Sequence, residues 1–83
     1  MKRKKLLTKV ADFFNLSKRK QCERQDKLKE LLAQLRDKEH KLCRRIAAEE
    51  DRGRAKRWEK EVQIIHAQRI KGIRQLKELN CDG

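Results

Sequence analysis

The sequence predicts an all-α fold: an antiparallel helical hairpin of the coiled-coil kind, a short amphipathic helix ahead of it, and pairing of two copies into a helical bundle. Three observations predict it. Lys, Arg, Glu, Leu and Ala dominate a chain that is 46% charged and contains no proline, which is the composition of long helices. Apolar residues recur three and four positions apart in two long runs, from Leu28 to Ile46 and from Ala55 to Leu79, so each run places them on one side of a helix. Between the runs stands Glu49-Glu50-Asp51-Arg52-Gly53-Arg54, whose single glycine suits the left-handed conformation of a helix end.

Residues 1–16 read as a basic arm and a short helix. Lys2, Arg3, Lys4 and Lys5 form the arm, and Leu6, Leu7, Val10, Ala11, Phe13 and Phe14 follow at helical spacing. A helix of about three turns is not stable alone in water, so its apolar side has to dock on something. Asn15 or Ser17 can end it and cap what comes next. Residues 17–80 read as the hairpin, with its turn near Gly53, and residues 81–83 as a tail. The first arm of the hairpin is expected from about Ser17 to Glu50, with Leu28, Leu32, Leu35, Leu42 and Ile46 on one stripe and Glu39 in a seat that should be apolar. The second is expected from about Arg54 to Asn80, its stripe being Ala55, Trp58, Val62, Ile65, Arg69, Gly72, Leu76 and Leu79. Asp51 is a candidate cap for it. Positions 62–68 hold no Lys, Arg, Asp or Glu, and a window so free of charge in this chain has to be covered.

Folding the two stripes together about Gly53 pairs residues that lie equally far from the turn. Ile46 then meets Val62, Leu35 meets Gly72 or Ile73, and Leu28 meets Leu79. The two misfits, Glu39 and Arg69, come level. They form either a partly buried ion pair that fixes the register at some loss of stability, or two long side chains that reach water separately. Leu31, Ile64, Ile70 and the Phe13–Phe14 face are left over. Either the N-terminal helix covers them or two hairpins pair into a four-helix bundle. A chain of 83 residues buries only about 60% of its extended surface, which favours a homodimer.

The formal net charge is +12, so the chain will associate with anions at low salt. Lys2, Arg3, Lys4, Lys5, Lys18, Arg19, Lys20, Arg54 and Arg57 are the candidate anion-binding residues. The partners they suggest are nucleic acid bound without sequence preference, an anionic membrane surface, or a protein that the sequence does not name. Trp58 beside the arginines can stack a base, but its place on the stripe assigns it to the core. No stretch approaches the about 20 apolar residues that cross a bilayer. Cys22, Cys43 and Cys81 form no close pair in sequence, which reads as free thiols in a reducing, cytoplasmic setting, with Cys81 exposed in the tail.

Nothing here points to catalysis or to a cofactor. One Ser and one Thr occur, there is no Gly-rich phosphate loop, and the carboxylates sit among Lys and Arg on helix exteriors, where helix pairing explains them. His40, Cys43 and His66 fall near one level of the hairpin, yet no Cys-x-x-Cys occurs and a fourth zinc ligand is lacking. The expectation is a small, non-enzymatic helical protein that works by binding another macromolecule.

Overall fold

The computed structural model describes residues 3–79 and 81, with side chains from Lys5 onward. Its elements are four α-helices, α1 (Arg3–Phe14), α2 (Lys18–Glu23), α3 (Gln25–Ala48) and α4 (Arg52–Glu78). No strand occurs among the described residues. The molecule is a rod of 52 × 19 × 16 Å, and α3 packed on α4 makes its long axis.

The two stripes account for that packing. Leu28, Leu35 and Ile65 are fully buried, and Leu32 and Leu42 nearly so. Trp58, Val62 and Leu76 pack on this core from α4. Contacts run from Glu49 with Arg54, through Glu39 with Arg69, to Leu32 with Gly72, so later positions of α4 meet earlier positions of the chain. Covering each leucine of this row contributes about 2 kcal/mol relative to leaving it in water.

Helix α1 lies against both α3 and α4. Leu6, Val10 and Phe13 take successive turns of one side, and all three are buried together with Leu31 of α3. The N-terminal helix therefore supplies the cover that a two-helix unit lacks for Leu31. Phe14 stays half-buried, edge-on to Phe13 with ring centroids 6.4 Å apart, and the Lys71 ammonium of α4 stands 4.7 Å from the centre of its ring.

The stretch from Ser17 to Ala48 is not one helix, as its sequence suggests, but two. Ser17 caps α2, its hydroxyl accepting from the Lys20 amide. Arg24 then leaves helical geometry at φ −114°, ψ 20°, and its amide is shared between the carbonyls of Lys20 and Gln21. The apolar stripe starts only at Leu28, so nothing before it holds α2 in line with α3. Two ties hold it elsewhere. Gln21, buried, donates through Nε2 to the carbonyls of Phe13 (3.2 Å) and Phe14 (3.4 Å) at the end of α1, where carbonyls lack helical partners. Its Oε1 accepts from Gln75 Nε2 of α4 at 2.6 Å. Next to it, Cys22 is bridged to Cys81, with Cα atoms 5.5 Å apart. The reading of Cys22 and Cys81 as separate free thiols is thereby corrected. Cys43 alone is free, and it is exposed.

Gly53 also plays a different part from the one its residue type suggests. No described glycine has a positive φ, and Gly53 lies inside the first turn of α4. The chain reverses over residues 49–51 instead. The Asp51 carboxylate accepts from the amides of Gly53 (2.9 Å) and Arg54 (3.3 Å), and Glu49 Oε1 accepts from the Asp51 amide at 3.1 Å. A Cβ on Gly53 would stand 3.3 Å from Asp51 Oδ1, so the glycine makes room for the cap rather than for an unusual backbone. Helix α4 ends at Glu78 with Leu79 as its cap, and Asn80, where it was expected to end, lies outside the described residues.

Candidate functional site

Glu39 and Arg69 occupy matching seats in the α3 and α4 stripes, and the structure brings them together. Arg69 Nη1 donates to Glu39 Oε2 at 2.9 Å, with the two side chains only 19% and 12% exposed. The second carboxylate oxygen takes His66 Nδ1 at 3.2 Å. One carboxylate thus serves two donors from successive turns of α4, and His66 is the member that faces water. A charge swap tests whether this pair sets the register. Glu39→Lys or Arg69→Glu alone is expected to lower unfolding free energy by about 1–2 kcal/mol, less than a wholly buried pair would lose, and the double swap to recover most of it. Urea titrations of the four proteins check this, and a double variant no better than the singles would refute it.

The candidate anion-binding residues do not converge. Lys18, Arg19 and Lys20 open α2, at the end of the rod where Gln21 meets Gln75. Arg54 and Arg57 lie at the start of α4, the length of α3 away, about 36 Å at helical rise. Lys5 sits on α1, exposed. Lys2 and the side chains of Arg3 and Lys4 lie outside the described residues. Arg19 has Glu23 at 3.6 Å and Arg54 has Glu49 at 3.8 Å, exposed pairs of little energy. Lys18, Lys20 and Arg57 have no ion pair among the described residues. The positive charge of the described residues is therefore spread along the rod.

The groove is a feature that sequence reasoning did not single out. It is shallow, about 240 Å³, and it opens between α3 and α4. Leu32, Ala33, Ile73 and Leu76 make its floor, and Lys29, Arg36 and Arg69 make its rim. No described side chain of α1 lines it. Ile73 is 37% exposed and Ile70, three residues earlier on α4, 42%, while Ile64 stands out at 55%. Gln21 was missed too, although one heptad before Leu28 falls on it and marks a buried seat.

Among the described residues, no three His, Cys, Asp or Glu side chains are placed to hold a metal ion. His66 instead turns to Glu39. Trp58 packs on the core, which takes it away from base stacking. No helix among the described residues is long and apolar enough to cross a membrane. Compared with protein-family models, with curated proteins and with solved structures, the chain matches none.

Proposed function

We propose that this chain is a non-enzymatic interaction module. In this reading α3 and α4 form an antiparallel hairpin, α1 braces it, and the groove that α1 leaves open receives another protein. The observation that carries it is the exposure of Ile70 and Ile73, 42% and 37%, beside an apolar floor in a chain that is 46% charged. Apolar side chains grouped in water beside a groove are what a contact surface offers a partner. The only Ser is spent as a helix cap, which leaves no hydroxyl of that kind for acyl transfer. A homodimer is one form the contact can take: α1 covers Leu31, while Ile64 and Ile70 of the surface that argued for dimerisation stay exposed.

A photoreactive residue in place of Ile73, incorporated in the native cell, is expected to cross-link to a protein chain, either another protein or a second copy. The same substitution at the exposed position Lys60 should not. No adduct at position 73 above that control would sink the reading.

A second reading, binding of nucleic acid or an anionic membrane surface through phosphates, is favoured by the free ammonium groups of Lys18 and Lys20. It predicts a steep fall of affinity for duplex DNA or for phosphatidylserine vesicles as salt rises. The apolar side of α1, which would face a bilayer, is buried within the chain, and this weighs against the membrane form. The cytoplasmic location rested in part on unpaired cysteines. With Cys22 joined to Cys81, it would require the bridge to be reduced there.

A further inference from the structure

We propose that the occupant of the groove is an acidic amphipathic helix: a row of aliphatic side chains flanked by Asp and Glu. This rests on the reading of the groove as a contact surface and names the chemistry that fits it. Three features argue for it.

The first is the shape of the slot. Its walls are two helices, and the valley between packed helices takes a third helix by seating one row of side chains. The chain already does this once. Helix α1 lays Leu6, Val10 and Phe13 against α3 and α4, spaced four and three apart. Leu32, Ala33, Ile73 and Leu76 offer a comparable seat with no such row upon it.

The second is the sign of the rim. Every charged residue that lines the groove, among the described residues, is a cation: Lys29, Arg36 and Arg69. Arg69 is already engaged by Glu39 at 2.9 Å. Arg36 has only Asp37, 3.8 Å away and largely in water, and Lys29 has no carboxylate partner among the described residues. Carboxylates on the flank of an incoming helix that faces α3 would meet Lys29 and, two turns further along, Arg36.

The third decides between a foreign helix and a second copy. In a twofold pair the same patch meets itself. That would bring Lys29 and Arg36 toward their own duplicates and join two chains that each carry +12. Like charges set against one another oppose such a contact, and an acidic partner gains from the same field.

The test uses the intact chain with its bridge formed and two labelled synthetic peptides of about four helical turns. Both carry leucines alternately three and four apart. One has glutamates on the flanks and the other lysines. Fluorescence anisotropy at physiological salt is expected to show the glutamate peptide binding at about 10 µM, as suits a small transient contact. The lysine peptide should bind at least about tenfold more weakly. Ile73→Glu should weaken the glutamate peptide about tenfold with the helical circular dichroism retained, since this residue is already 37% exposed. Lys29→Glu should narrow the gap between the two peptides.

Three results would overturn the proposal: no binding of the glutamate peptide at several hundred micromolar, equal binding of both peptides, or indifference to Ile73→Glu. A dimer in sedimentation that Ile73→Glu disperses would give the groove to a second copy and overturn it as well. A cross-link at position 73 in the cell, with neither peptide bound, would defeat the acidic-helix assignment and leave the broader contact surface standing. Absence of any cross-link defeats the broader reading itself.

Discussion

Reducing the bridge between Cys22 and Cys81 is expected to lower the unfolding free energy by about 4 kcal/mol, the largest effect of any single change considered for this chain. The reason lies in the unfolded state. The two cysteines are 59 residues apart, so the bond removes much of the freedom of the unfolded chain, and a longer closed loop removes more. Domains of this size have a total stability of the same order, so the reduced protein should sit close to its unfolding threshold. Urea titration with and without a phosphine reductant measures this directly. The variant carrying both Cys22→Ser and Cys81→Ser should match the reduced protein and ignore the reductant. Superimposable curves for the oxidised and reduced protein would show that the bridge does not hold the fold. Gln21 remains in either state, with its bonds to the end of α1 and to Gln75, so local order at that end should outlast the covalent tie.

Gly72→Leu should cost about 2 kcal/mol by overpacking. A Cβ at this position would stand 2.5 Å from Leu32 Cδ2 and 3.1 Å from Cδ1, too near for both to stay. Gly72 was expected to face Leu35, and the structure sets it one helical turn away, against Leu32. That neighbour decides the outcome. Leu32 also lines the groove, so its methyl groups have somewhere to turn. Gly72→Ala, which gains about 1 kcal/mol of helix propensity, should therefore come out close to neutral. A leucine is too large for that escape. Pairing it with Leu32→Ala should return about half of the loss by exchanging large for small across the interface. Thermal melts of the three variants check the series. A Gly72→Leu protein that melts with the parent would mean that the helices do not approach closely at this level.

The helical content and the contact of α3 with α4 were legible because both stripes keep a repeat near three and a half residues, and such a repeat reports which side of a helix is covered. The seats of Glu39 and Arg69 could be read in the same way, and so could the row of Leu6, Val10 and Phe13. A repeat says nothing about where a helix bends. Arg24 breaks the line because Gln21 and Cys22 are held from outside the helix, by α1, α4 and Cys81, and none of those ties leaves a mark in local spacing. The bridge was hidden for the same reason. Two cysteines can join only when the fold brings their Cα atoms within about 7 Å, and that distance depends on the bend. Gly53 misled because glycine at a reversal suggests a left-handed turn, whereas here the Asp51 carboxylate caps the helix and glycine keeps clear of it. The groove was illegible because it is made by what is absent: Ala33 is small, and no described side chain of α1 lines it.

The bond from Cys22 to Cys81 turns residues 22–81, with α3 and α4 among them, into a closed ring of chain, with α1 and the first turn of α2 attached outside it. Residues 49–51 and the exposed Arg52 form the far bend of that ring. A protease that severs the peptide after Arg52 opens the circle without freeing either piece, so the nicked chain stays one covalent molecule, heavier by one water, until a reductant parts it in two.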